Sequence, residues 1–181
     1  MLMSVAELRQ FVDTEEDDRL LEARLKALEL SIRAYTNNNF QRTSYRRDAD
    51  IVGGLFCVEA LTPFHEGETV QISESRFNDG LYTVAEADDS TFTVVEDVAD
   101  EENVLVTKVV YPADVKMGAV NLLKWELNNR EKVGVSSETI SRHSVTYFDM
   151  NGDNSVMGYP RALLGFLRPY KKARFGQGLN A

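Results

Sequence analysis

The sequence predicts an α+β protein: a small helical bundle, with three main helices and a short C-terminal helix, into which an antiparallel β barrel or sandwich module is inserted. Three observations predict it. Apolar residues recur at helical spacing on both sides of a central region. Within that region, from about Arg42 to Pro112, the helical period vanishes and short β-type runs replace it. The 181 residues are enough for one domain with a second set into it. The boundaries that follow are 1–41 and 113–181 for the helical part and 42–112 for the β module.

Taken in order, Ser4-Val5-Ala6-Glu7 and Thr14-Glu15-Glu16-Asp17 both fit the capping-box pattern that opens a helix. The first predicts a short helix over Val5 to Val12. The second predicts a long helix with Leu21, Leu25, Leu28, Ile32 and Tyr35 on one apolar stripe. Acidic residues crowd its first turn, where the helix dipole favours them. Asn37-Asn38-Asn39 ends it, because Asn tolerates the left-handed conformation. Five strands are then expected at Leu55–Val58, Thr69–Ile72, Leu81–Val84, Thr91–Val95 and Val104–Val110. Turns separate them at His65-Glu66-Gly67-Glu68, Asn78-Asp79-Gly80 and Asp88-Asp89-Ser90, the second reading as a tight hairpin with positive φ. Asp114 caps a helix over Val115 to Arg130. Met117, Val120, Leu123 and Leu127 mark its inward face, which Ala119, Leu122 and Trp125 widen, and Gly134 stops it. Thr139–Phe148 reads as extended and the stretch from Asp149 to Ser155 as a loop. Pro160 opens a last short helix with Leu163, Leu164 and Leu167 inward, and Pro169 limits it.

Composition narrows the function. The apolar and charged fractions are those of a globular protein. No apolar run approaches the ~20 residues that cross a bilayer, and the start lacks the pattern of a signal peptide. Cys57 is the single cysteine, which excludes an intramolecular disulfide and a cysteine-rich zinc site and suits synthesis in the cytoplasm. The net charge of -9 is uneven. From Arg161 to Ala181 there are five Lys/Arg and no Asp/Glu, which leaves 15 basic and 29 acidic residues in the first 160. An acidic body of this kind does not suit tight binding to a phosphate backbone.

Enzyme motifs are absent at the level of sequence. There is no phosphate loop, dinucleotide fingerprint or nucleophile elbow. His65-Glu66 begins like a zincin motif, but Thr69 stands where the second histidine belongs. Cys57 and His143 form an imaginable nucleophile–base pair. Yet Leu55-Phe56-Cys57-Val58 is an apolar run in which a cysteine is expected to be a small buried hydrophobe. Asp149-Met150-Asn151-Gly152-Asp153 starts like a calcium loop, but its sixth and twelfth positions hold Asn154 and Pro160 instead of Gly and Glu. Adjacent acids such as Glu15-Glu16 and Glu101-Glu102 read as solvated charge. No residue is assigned to catalysis, a cofactor or a metal.

One segment asks for more than packing. From Gly158 to Phe175, aromatic and basic residues alternate near the chain end, and Tyr, Phe and Arg are enriched in protein interfaces. The candidate partner-binding residues are Tyr159, Arg161, Arg168, Pro169, Tyr170, Lys171, Lys172, Arg174 and Phe175. The plain alternative is a terminal helix docked on its own core. Both are expected here, with the leucines packing inward and the residues from Arg168 onward reaching a partner.

The helical parts resemble the head–tail connector (adaptor) proteins of tailed bacteriophages. The likeness rests on Ser4–Val12 followed by the acidic-started helix Glu15–Asn37, on the helix Asp114–Arg130, and on the ending Pro160-Arg161-Ala162-Leu163-Leu164-Gly165-Phe166-Leu167-Arg168-Pro169-Tyr170. It covers roughly 110 residues. The simplest members of that family join the second and third helices by a short connection, where this chain has about seventy residues. Within these, Gly67–Ile72 and Arg76–Val84 look like a small β module of phage structural proteins. The resemblance implies a virion protein at the head–tail junction that forms a homo-oligomeric ring below the portal protein. The ring continues the DNA channel, without specific DNA binding, and docks the next head-completion or tail protein. It implies no cofactor and no membrane. The alternatives are a tail-completion or DNA-packaging accessory protein and, ranked last, a small enzyme of unknown type.

Overall fold

The computed structural model describes residues 1–129, 137–140, 143–146 and 154–173. The chain divides into two compact units, Met1 with Asn39–Tyr111 and Leu2–Asn38 with Pro112–Ala181.

In the first unit, six antiparallel strands close into a barrel: β1 (Gln41–Val52), β2 (Leu55–Val58), β3 (Thr69–Ser73), β4 (Gly80–Ala87), β5 (Thr91–Val94) and β6 (Glu101–Val109). Around the barrel they run in the order β1-β2-β5-β4-β3-β6. Alternate residues point inward, so Ala49, Ile51, Phe56, Val58, Val70, Ile72, Val84, Phe92, Val104 and Val106 fill the interior together with Phe64. Phe56 stacks on Phe92 at 4.5 Å between ring centroids, and Phe64 meets Phe92 edge-on at 5.0 Å. Each large apolar side chain buried this way contributes about 1.5–3 kcal/mol.

This barrel corrects the expected fold class. The chain is not a helical bundle carrying a small inserted module; the closed six-stranded antiparallel barrel is its largest feature. Sequence pattern missed β1, which closes the barrel by pairing with both β2 and β6. Its sequence is polar because Ala49 and Ile51 are its buried positions and most of its other residues face outward. Outside, Tyr45 lies under the cations of Arg42 and Lys108. Two further expectations change. Cys57 is exposed, because the period of two that buries Phe56 and Val58 turns Cys57 outward. Asn78 is not a positive-φ hairpin residue: the β3–β4 connection has its left-handed residue at Glu74, and Asn78 is buried. The tight hairpin is at Gly53-Gly54, whose φ values of +59° and +82° fit a two-residue turn between paired Val52 and Leu55.

In the second unit, α1 spans Val5–Arg9, with the Ser4 hydroxyl accepting from the Glu7 N–H at 3.1 Å. It stops short of Val12. α2 spans Asp18–Thr36 and starts later than the Thr14 signal implies. Thr14 Oγ1 instead accepts from the Glu16 N–H at 3.2 Å, and the Arg9 guanidinium donates to the carbonyls of Thr14 and Glu16 and to Asp18. These bonds hold the connection in a turn. Leu21, Leu25, Leu28 and Ile32 are buried as the stripe predicts, and Asn37 ends the helix with φ +49°. α3 spans Ala113–Asn129, with Asp114 Oδ1 accepting from the Val115 N–H at 2.9 Å. Its buried residues are Val115, Gly118, Ala119, Val120, Leu122 and Leu123. Met117, expected inward, is 42% exposed, because the inward face is centred on Gly118 and Leu122.

β7 (Ser137–Ile140) and β8 (His143–Thr146) pair antiparallel, where the sequence reading has one extended segment. Gly134 and the calcium-like stretch Asp149–Asp153 lie outside the described residues. β9 (Ser155–Val156) and β10 (Tyr159–Pro160) form a short ladder around Met157 and Gly158, both with positive φ. A 3-10 helix over Arg161–Tyr170 follows, with Pro169 inside its last turn.

Candidate partner-binding site

The C-terminal segment is built onto α2 and α3. Leu164 and Leu167 are buried at 3% and 0% exposure, while Leu163 is half-buried. Phe166 lays its ring against Gly118 of α3, where a β-carbon would collide with it. After the 3-10 helix the chain folds back along the end of α2. The Lys172 N–H donates to the Thr36 carbonyl at 2.8 Å, satisfying a group that the helix end leaves without an internal partner. Asn38 Nδ2 donates to the Tyr170 carbonyl at 3.1 Å, and Asn37 Nδ2 to the Ala173 carbonyl at 2.9 Å.

The candidate residues therefore divide. Tyr170 donates its hydroxyl to both carboxylate oxygens of Asp114 at 2.8 Å, and that bond raises its pKa. Tyr159 is half-buried, sits edge-on to Trp125 at 5.8 Å and donates its hydroxyl to Glu126 Oε2 at 2.7 Å. Burial first, and then the bond to Glu126, hold its hydroxyl far above the usual tyrosine range. Glu126 also pairs with Arg24, whose Nε reaches Glu16 at 3.0 Å. Lys171 places its ammonium 3.7 Å from the centroid of the Tyr35 ring, a cation–π contact near the negative end of α2. The three side chains Tyr159, Tyr170 and Lys171 thus fasten the segment internally. Arg161, Arg168, Pro169 and Lys172 are exposed. Arg174 and Phe175 lie outside the described residues.

This corrects the picture of a tail reaching away from Arg168 onward. Tyr170 to Ala173 is held against α2 and Asp114, and Arg161, Arg168 and Lys172 are exposed. Sequence reasoning missed Asp114 as the partner of Tyr170 and Gly118 as the seat of Phe166. A glycine on the inward face of an otherwise good helix was the available signal for the second.

Elsewhere, His65 sits in a turn beside Glu68, with Nδ1 3.4 Å from Oε2, and Glu68 pairs with Lys108 at 2.5 Å. Cys57 and His143 belong to different units. Among the described residues no group of three or more His, Cys, Asp or Glu is placed to hold a metal ion, and no helix is long and apolar enough to cross a membrane. The sequence matches no known protein family and no curated protein.

Proposed function

We propose that the chain is a structural protein of a tailed-phage virion: a head–tail connector that forms a ring below the portal, continues the DNA channel and docks the next head-completion or tail protein. The observation that carries this reading is the C-terminal ending. Its internal contacts fix the backbone, so that Arg161, Arg168 and Lys172 present positive charge from an otherwise acidic chain. A preorganised cationic surface loses little conformational entropy when it meets an acidic partner. The acidic remainder suits a channel wall, since it repels DNA phosphates and lets the duplex slide without sticking. The sequence resemblance of the helix pair, the third helix and this ending to connector proteins supplies the rest of the support.

The test is capture of the chain by the portal protein of its own phage. The wild-type chain is expected to co-purify with portal. Reversing the exposed charges, with Arg161→Glu, Arg168→Glu and Lys172→Glu together, should weaken capture more than ~tenfold while leaving the fold intact. Equal capture of the variant would overturn the role of these residues, and no capture of the wild type would overturn the connector reading.

A further inference from the structure

The barrel unit carries its charge unevenly. From Asn39 to Tyr111 there are fifteen Asp and Glu residues but five Lys and Arg. Four of the five bases, Arg42, Arg46, Arg47 and Lys108, lie on the paired strands β1 and β6, and Arg76 is the fifth. Arg42 and Lys108 flank the exposed Tyr45, with their charged groups 5.7 and 5.3 Å from its ring centroid. Arg46 Nε donates to Thr107 Oγ1, next to Lys108 in the chain, at 3.0 Å. Arg47 Nη1 donates to the Arg46 carbonyl at 2.8 Å and its Nε to the Leu61 carbonyl at 3.3 Å. All of these acceptors are neutral. Among the described residues, Arg42, Arg46 and Arg47 form no ion pair, whereas Lys108 pairs with Glu68. An acidic barrel thus holds three neighbouring guanidinium groups that no carboxylate of its own neutralises.

The backbone beside them leaves the sheet. In the β1–β6 ladder Gln41 is opposite Val109 and Arg46 opposite Thr107, so Arg42, Thr43, Ser44 and Tyr45 together face the single residue Lys108. β2 pairs with Ala49 to Val52 alone. The four bulged residues are all exposed, and Arg46 and Arg47 are half-buried. Extra residues in a bulge have no ladder partner. Unpaired main-chain groups at a sheet surface are what an added peptide strand uses. A guanidinium fork matches a carboxylate through two parallel hydrogen bonds. The bulge and the arginines together select an acidic peptide. A nucleic acid brings no strand to pair with the bulge. Its phosphates would also run past the patch toward exposed Asp48, Asp50 and Glu59, which repel them.

We infer that the β1 bulge is a binding site for an extended acidic peptide segment of a partner protein, whose Asp or Glu side chains pair with Arg42, Arg46 and Arg47 while its backbone lies along Arg42 to Tyr45. The cations of Arg42 and Lys108 on the Tyr45 ring hold the bulge in shape before the peptide arrives. The site stands on these residues alone and is separate from the C-terminal cations of the connector reading.

The experiment is fluorescence anisotropy on the full chain with a labelled peptide of about ten residues in which Glu and Thr alternate. The wild type is expected to bind it, more weakly at high salt, and to bind the same peptide with Gln in place of Glu more than ~tenfold more weakly. Arg42→Gln with Arg46→Gln should lose more than ~tenfold in affinity for the Glu peptide. The triple variant Arg161→Glu, Arg168→Glu, Lys172→Glu should bind the peptide as the wild type does. A thymidine oligonucleotide of equal charge should bind more weakly than the peptide. Amide chemical shifts of the wild type should move on peptide addition at Arg42 to Arg47 and Lys108, a readout that does not depend on any variant folding. No binding of the Glu peptide, equal binding by the Arg42→Gln, Arg46→Gln chain, or shifts confined to other residues would overturn the site. Loss of binding in the C-terminal triple variant would move it to that segment. Tighter binding of the oligonucleotide would overturn the peptide as its ligand.

Discussion

The ring of Phe166 lies so close to the bare α-carbon of Gly118 that a β-carbon there would stand 2.3 Å from the ring edge. That gap is what lets the 3-10 helix settle on α3. Gly118→Ala gains up to about 1 kcal/mol of helix propensity but forces the ring to move, and overpacking costs about 1–3 kcal/mol. Urea unfolding should register a net loss of stability. Adding Phe166→Leu should recover part of it, and a Gly118→Ala chain as stable as the wild type would mean the ring swings aside freely.

Tyr159, Glu126 and Arg24 form one chain of contacts in the same unit. Tyr159→Phe removes a hydrogen bond to a charged acceptor and should cost about 1–2 kcal/mol near neutral pH. The folded hydroxyl titrates above its unfolded value of ~10. Its contribution is therefore full below that pH and is lost as pH rises through the folded value. Absorbance titration of the folded wild type should retain a late-ionising phenol that Tyr159→Phe lacks. The same late phase in the variant would assign it to another tyrosine.

At the barrel end, Glu101 accepts from the Arg76 N–H, the Ser75 hydroxyl, the Phe77 N–H and the Asn78 amide. The Arg76 N–H is the largest cause of its lowered pKa, followed by the Ser75 hydroxyl. A carboxylate lowered on folding stabilises the fold above its unfolded value of about 4.3, and this is lost as pH falls through the folded value. Denaturant midpoints measured from neutral pH into acid should fall less steeply for Glu101→Gln than for the wild type. Parallel curves would contradict a stabilising role for this carboxylate.

Truncation after Arg168 removes the Tyr170–Asp114 bond, the Lys172–Thr36 backbone bond and the Lys171–Tyr35 contact together. The truncated chain should unfold at a lower denaturant midpoint than the full chain. Native-state hydrogen exchange on the full chain should find the Lys172 amide protected. Rapid exchange there would mean the segment is not docked in solution.

Much of this was legible in residues whose burial follows their spacing. Leu21, Leu25, Leu28 and Ile32 announced α2, and β2 to β6 overlap the runs read from alternation. β1 was not legible, because an outward-facing strand bearing Arg42, Arg46 and Arg47 has almost no apolar period. The Gly53-Gly54 pair that follows it was the missed hairpin signal. Side-chain bonds between distant residues, such as Tyr170 with Asp114, leave no trace in local pattern. For the candidate site, composition located the segment, but it did not separate the fastening residues from the exposed ones. That separation depends on which side chain finds a partner across the fold.

The most direct test of the connector proposal is electron microscopy of portal rings incubated with this chain. The proposal predicts an added ring of density below the portal, continuous with its channel and carrying the portal's rotational axis. Portal rings unchanged at saturating concentrations of the chain would contradict it.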